Sequence, residues 1–314
     1  MTTQQQIRDY TPEMRACAEA IGLHAPAIVQ PEDRWVELNG IGFHYLDWGN
    51  PHLPHLVLLH GGSLTAHTWD MAALLLRDRY HIVALDQRGH GDSGWSTPDQ
   101  ATADPMDLML EDTRQFIAHL GFGNFVLCGM SMGGMNAIRY AARYPGGIDA
   151  LVIVDVAPIT EMQGQIEMEQ FRRESETMRR FEDFLDRAIK FNPHRRPEHL
   201  RYSLLHSLKE VPDGWTWKQD PGVHADTEGT EEERQAYRDA RSAALLADVQ
   251  AIRTPTLLMR GEISKILSEE GAAHMASNMS QCEIVVIPGA THNVQGDNPK
   301  DFAIELDRFI QRRG

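Results

Sequence analysis

The sequence predicts an α/β architecture, a mostly parallel, doubly wound sheet with an inserted helical cap, and three observations carry that prediction. Short apolar runs at residues 55–59, 81–85, 124–128, 150–154, 256–259 and 283–287 have the length and unbroken hydrophobicity of strands buried on both faces. Segments with apolar residues at helical spacing separate most of them: 107–120, 132–144 and 299–312, the last with Phe302, Leu306, Phe309 and Ile310 on one face. The rhythm then breaks over residues 157–251, where the chain turns highly charged, with RRESETMRRFEDFLDRAIKF and EEERQAYRDARSAALLADV as its clearest helical pieces.

The expected organisation is a core of residues 31–156 and 252–314, a cap of residues 157–251 that shapes the substrate pocket, and a polar helical extension over residues 1–30. The core opens with an antiparallel hairpin, residues 35–38 and 41–45, around Asn39-Gly40, a dipeptide suited to a tight turn with positive φ.

Composition narrows the class. With 30 basic against 45 acidic residues the formal charge is −15, which disfavours a nucleic-acid or anionic-membrane partner. No segment approaches the roughly 18 apolar residues of a membrane span, and the N-terminus lacks a basic start followed by an apolar stretch, so a cytoplasmic location is expected. Cys17, Cys128 and Cys282 are scattered and without CxxC spacing, as expected of reduced, mostly buried thiols. The sequence is compatible with a homodimer.

The strongest chemical pattern is Gly129-Met130-Ser131-Met132-Gly133-Gly134, which follows the apolar run Phe125-Val126-Leu127-Cys128 and precedes a helix. A serine at a sharp strand-to-helix turn stands above the sheet edge with its hydroxyl exposed, and flanking glycines relieve the crowding of such a turn. Ser131 is therefore the expected nucleophile; the bland alternative is a glycine-rich turn whose serine caps a helix. A neutral histidine can take the serine proton, and Pro288-Gly289-Ala290-Thr291-His292, after the run 283–287, resembles the G-x-x-H motif of the α/β-hydrolase superfamily, which implies His292 as the base.

In this context the chain resembles the α/β-hydrolase superfamily over residues 33–156 and 252–313. His60-Gly61-Gly62-Ser63 stands where that superfamily has its HGG loop, with Trp69 nine residues after His60. The resemblance implies that the backbone amides of Gly62 and Met132 form the oxyanion hole. Asp86-Gln87-Arg88-Gly89-His90-Gly91-Asp92-Ser93 resembles the family's D-x-R-G-x-G-x-S loop, whose charged residues are expected to brace the loop.

The chain departs from the family at the triad acid. Many relatives place it three residues beyond the glycine equivalent to Gly261, and here that position is Ser264. A second position used by some relatives, at the end of the strand after the elbow helix, holds Asp155, which is the expected acid; Glu262 is the alternative. The 24-residue separation of Ser131 and Asp155, together with the RGEISK run at 260–265, resembles the (acetamidomethylene)succinate hydrolases.

The expected reaction is hydrolysis of a small carboxylic ester by two-step acyl transfer, without a cofactor or metal. Amide, enamide or carbon–carbon bond hydrolysis on the same triad are alternatives, as are a ligand receptor or a cofactor-free oxygenase on the same scaffold. His194 and His199 miss the i, i+4 spacing of a helical metal pair and are expected to be solvated. Trp215 and Trp217 either line the pocket or pack the cap, and Met162, Met168 and Met178 are expected as apolar filler.

Overall fold

The computed structural model describes residues 9–25, 27–100, 103–161, 164, 170, 177–220 and 230–313. Met162, Met168 and the start of the RRESETM segment lie outside them. The strands in chain order are Glu32–Leu38 (β1), Ile41–Asp47 (β2), His55–Leu59 (β3), His81–Leu85 (β4), Phe125–Met130 (β5), Ile148–Val154 (β6), Thr177–Met178 (β7), Leu208–Val211 (β8), Gly214–Trp217 (β9), Thr256–Gly261 (β10) and Cys282–Ile287 (β11). Eight of them form one sheet in the order β1-β2-β4-β3-β5-β6-β10-β11, antiparallel at β1–β2 and β2–β4 and parallel from β4 onward.

The helices are Thr11–Ala20 (α1), Asp70–Leu76 (α2), Pro105–Leu120 (α3), Met132–Arg143 (α4), Phe181–Phe191 (α5), Pro197–Ser207 (α6), Glu231–Ala251 (α7), Glu269–Ser277 (α8), Val294–Asp297 (α9) and Pro299–Gln311 (α10). Local chemistry sets their ends. Asp104 accepts from the Met106 amide at 2.7 Å ahead of Pro105, and Gly121 closes α3 at φ 67°. Thr230 and Glu233 cap α7 reciprocally. Among the described residues no helix is long and apolar enough to cross a membrane.

Alternation along the buried strands divides the core. On β3, Leu56 and Leu58 join a cluster with Met71, Phe302, Leu306 and Phe309 from α2 and α10. Val57 and Leu59 point the other way, to Phe116, Ala137, Ile138 and Met275 from α3, α4 and α8. Each parallel strand is thus covered on both faces, which is why it reads as a continuous apolar run. At the hairpin Asn39 and Gly40 take φ 48° and 77°, the left-handed geometry that lets two residues join right-twisted strands.

The chain between β6 and β10 holds α5, α6 and α7, and also a small antiparallel sheet in the order β7-β9-β8 that the helical reading did not anticipate. Two- and four-residue strands are too short to show a period. Phe181, Phe184, Leu200, Leu204 and Leu208 build a separate cluster there, on which Met178, Trp215 and Trp217 pack. The two tryptophans meet Phe181 and Phe184 edge-on at 5.4 and 5.3 Å, so they pack this insert. His194 is exposed, as expected, but His199 is not solvated: Pro197 starts α6, and its first turn buries His199 to 8% exposure. Burial first, then the Arg195 charge, lowers that imidazole to about 3.

The N-terminal extension is part of the core. Met14, Cys17 and Ala18 on α1 are at most 1% exposed and share a cluster with Met71 and Tyr202. Met14→Ala is expected to destabilise the protein by about 2–5 kcal/mol, the cost of a buried large-to-small change. Denaturant unfolding checks this, and an unchanged midpoint would show the extension to be a mere attachment.

Candidate active site

Ser131 sits between the last residue of β5 and the first of α4, at φ 51° and ψ −115°. A non-glycine residue in that region costs about 1–3 kcal/mol and persists only when its surroundings over-determine it. Here they do. A Cβ added to Gly129 would lie 2.2 Å from the Gly133 carbonyl oxygen, and one on Gly133 would lie 2.3 Å from that of Leu59. The Ser131 amide also donates to Val154 O at 3.0 Å, anchoring the turn to β6. Ser63, Ser131 and Asp155 are three of the five described non-glycine residues with positive φ, and all three stand in the loops around this turn.

His292 and Asp155 converge on Ser131. His292 Nε2 lies 3.0 Å from Ser131 Oγ, and Nδ1 lies 2.8 Å from Asp155 Oδ2. The His292 side chain is 12% exposed, whereas Asp155 is fully buried. Asp155 also accepts from the Gly261 amide at 2.9 Å and from Ser264 Oγ at 2.5 Å. The Ile266 and Leu267 amides point at Ser264 Oγ from 3.1 and 3.3 Å, so its one proton is directed to the carboxylate. A carboxylate that accepts throughout makes His292 Nδ1 the donor and leaves the Nε2 lone pair facing the serine. Glu262 lies elsewhere: its carboxylate accepts from the Gly289 amide at 2.8 Å on the surface.

The His60–Ser63 loop runs against the elbow. A Cβ on Gly61 would lie 2.4 Å from Met130 Sδ and 3.2 Å from Ser131 Cβ, and the Gly133 amide donates to His60 O at 3.1 Å. No atom of the described residues lies within 4 Å of a Cβ added to Gly62. Met132 begins α4, so its amide has no partner within the helix. Buried His60 braces the loop: its Nε2 accepts from the Gln87 amide at 2.9 Å, while the Gln87 side chain donates to His60 O at 2.6 Å and accepts from Asn136 at 3.0 Å. Burial lowers the His60 imidazole, in keeping with the acceptor role of Nε2.

Sequence reasoning missed Ser264, Gln87, Asn136 and Arg195. Arg195, from the turn before α6, bonds Asp297 Oδ1 at 2.5 Å, and Asp297 Oδ2 accepts from the Thr291 amide at 2.8 Å and from its hydroxyl. The residue before His292 is thereby tied to the insert. Of these, only the empty acid position at Ser264 left a trace in the sequence.

The Asp86 loop is held by charge. Asp86 accepts from the Ala66 and Asp92 amides at 2.6 and 2.9 Å and meets His44 Nδ1 at 2.7 Å, while His44 Nε2 meets Asp33 at 3.0 Å. Arg88 forms two 2.7 Å bonds with buried Asp112.

Residues 56–306 match the family described as the alpha/beta hydrolase family. The chain is 30% identical over 304 residues to Esterase Rv0045c of Mycobacterium tuberculosis, covering 93% of this chain and 92% of the relative. It is 26% identical over 267 residues to the 2-(acetamidomethylene)succinate hydrolase of Mesorhizobium japonicum, covering 82% and 88%. Among solved structures, that of the M. tuberculosis esterase superposes with a TM-score of 0.74 at 27% identity, over 98% of this chain and 100% of that one. The structure of E-2-(acetamidomethylene)succinate hydrolase superposes with a TM-score of 0.77 at 23% identity, over 90% and 99%, a likeness of fold.

The His44–Asp86 pair makes stability depend on pH. Burial opposes protonation of His44, but hydrogen bonds to Asp33 and Asp86 and the Asp86 charge raise it to about 10. Burial also opposes ionisation of Asp86, yet the His44 hydrogen bond and charge hold its carboxyl well below the usual range. The raised base stabilises fully below its ordinary 6.5 and loses that contribution as pH rises toward 10; the depressed acid stabilises above 3.8 and loses it as pH falls. His44→Gln is expected to lower Tm most between about pH 4 and 6.5, and progressively less from about pH 7 to 10. Parallel melts of both proteins check this, and a pH-independent difference would contradict an ionic pair.

Proposed function

Because the chain belongs to the alpha/beta hydrolase family and is a hydrolytic enzyme, we propose that it cleaves a small carboxylic ester by two-step acyl transfer through Ser131, His292 and Asp155. The observation that carries this reading is the relay of 3.0 Å from Ser131 Oγ to His292 Nε2 and 2.8 Å from Nδ1 to Asp155. As Ser131 Oγ attacks the ester carbonyl, its proton passes to Nε2, and the imidazolium so formed is stabilised by buried Asp155. The carbonyl oxygen becomes an oxyanion held by the amides of Gly62 and Met132. Collapse expels the alcohol, which takes the proton from Nε2. Water then repeats the sequence on the acyl-serine, with His292 as base, and releases the acid.

An ester is favoured over an enamide by the extent of the likeness. The M. tuberculosis esterase is 30% identical over 93% of the chain, and its structure matches 98% of it. The match to the (acetamidomethylene)succinate hydrolase structure leaves out a tenth.

Multiple-turnover assays on p-nitrophenyl esters of short acids, beside an enamide substrate, test the reaction. Steady ester turnover with little enamide cleavage is expected. Ser131→Ala is expected to lower kcat by on the order of 10⁴–10⁶-fold, and retention of most activity would rule out acyl-enzyme chemistry. Asp155→Asn is expected to lower kcat by on the order of 10⁴-fold, since the imidazole loses its tautomer, while Glu262→Gln leaves kcat as in the parent. The reverse order would move the acid to Glu262.

A further inference from the structure

Two groups of three metal-capable side chains among the described residues do not include Ser131, His292 or Asp155, and their hydrogen bonding separates them. In the first, His44, Asp86 and Asp92, the ligand atoms are already engaged. His44 uses both ring nitrogens on Asp86 and Asp33, Asp86 accepts two backbone amides, and Asp92 accepts Lys218 Nζ at 2.7 Å. An ion there would displace bonds already made.

The second group is His67, Asp70 and His206, whose ligand atoms lie within 4.8 Å of one another. Asp70 is fully buried at the start of α2. Its Oδ2 accepts from Tyr202 Oη at 2.5 Å and meets His67 Nδ1 at 2.8 Å. Its Oδ1 is buried and meets no hydrogen-bond donor among the described residues, and no arginine or lysine among them pairs with it. A buried carboxylate so placed is costly unless a cation reaches it. Burial first, then the charges of Asp70 and Glu198, push the neighbouring Cys17 thiol up to about 12, against the opposing charge of Arg195.

Each imidazole brings a ring nitrogen within 4.8 Å of the Asp70 carboxylate. Their rings stack with centroids 3.6 Å apart and 23° between planes. A tetrahedral ion with bonds of about 2.0–2.1 Å spaces its ligand atoms about 3.3 Å apart and lies in the plane of each ring it binds, so binding requires the two rings to turn out of their stack. Two imidazoles and a carboxylate suit zinc and its divalent neighbours. The His67 side chain, 14% exposed, offers the way in.

We propose that His67, Asp70 and His206 form a binding site for a divalent transition-metal ion of the zinc class, with Asp70 Oδ1 as the carboxylate ligand and Tyr202 orienting that carboxylate from outside. His206 belongs to α6 in the insert, while Asp70 begins α2 and His67 precedes it in the 66–69 turn. The ion therefore staples the insert to the core.

Titration of the chelator-treated full-length protein with ZnCl2, by calorimetry and by thermal melting, tests the site. One ion per chain and a rise in Tm are expected. His67→Gln and His206→Gln should each weaken binding by at least about 100-fold, because even residues that only orient metal ligands are worth about 10–100-fold. Should His206→Gln fail to fold, the partly exposed His67→Gln still gives the answer. His292→Gln should bind zinc as the parent does, which keeps this result separate from the hydrolase reading. The proposal is overturned by the absence of a saturable site, by unchanged binding in His67→Gln, or by loss of binding in His292→Gln.

Discussion

The rest of the site depends on the buried carboxylate of Asp155. It leaves the end of β6 at φ 52° and accepts three hydrogen bonds: from the Gly261 amide at the end of β10, from Ser264 in the following loop, and from His292 in the loop after β11. One acid therefore fixes the relative positions of three consecutive strand ends. A fully buried carboxylate without a guanidinium partner is tolerable only with such saturation. The cost of desolvating it is offset locally, and the histidine inherits a single orientation. Ser264 matters in this arrangement because the two amides behind its oxygen leave its proton nowhere to go but Asp155.

Backbone strain supplies the matching half. Ser131 is forced to positive φ by a turn so tight that Gly129 and Gly133 have no room for a Cβ, and the energy comes from the sheet and from α4, which hold both ends of the turn. The hydroxyl gains a fixed direction that an unstrained turn would not give it. Strained serine and saturated aspartate meet through the histidine, so neither is free to relax without breaking bonds elsewhere.

The sheet was legible because both-faces-buried strands carry the signal in their own composition: β3 and β4 coincide with the apolar runs at 55–59 and 81–85, and β5, β6, β10 and β11 differ from theirs by at most two residues at an end. Ser131 and His292 were legible through the turns that hold them. Asp155 was legible only through family likeness, as the second acid position beside an empty first one and by its 24-residue separation from Ser131, since the hydrogen bond that places it spans 137 residues. The β7-β9-β8 sheet, the burial of His199 and the docking of α1 were not, because each depends on packing between segments whose local patterns are polar or short. A helix such as α1, with Glu13, Arg15 and Glu19 around three small or flexible buried residues, looks like a solvated tail until Tyr202 and α2 are set beside it.

The insert is more than a cover for the sheet edge. Gly91 and Asp220 donate backbone bonds across the gap to Lys218 and Gly89, which ties the end of β9 to the Asp86 loop. Arg195 reaches in the opposite direction and holds Asp297, the residue that fixes the Thr291 amide and hydroxyl. The Arg195 and Asp297 side chains are only 11% and 8% exposed, so their bond is poorly screened and couples the two units more strongly than a surface ion pair would. Any displacement of α6 must therefore either break a largely buried ion pair or carry the His292 loop with it. The position of the histidine is thus set from two sides, by Asp155 beneath it and by the insert beside it.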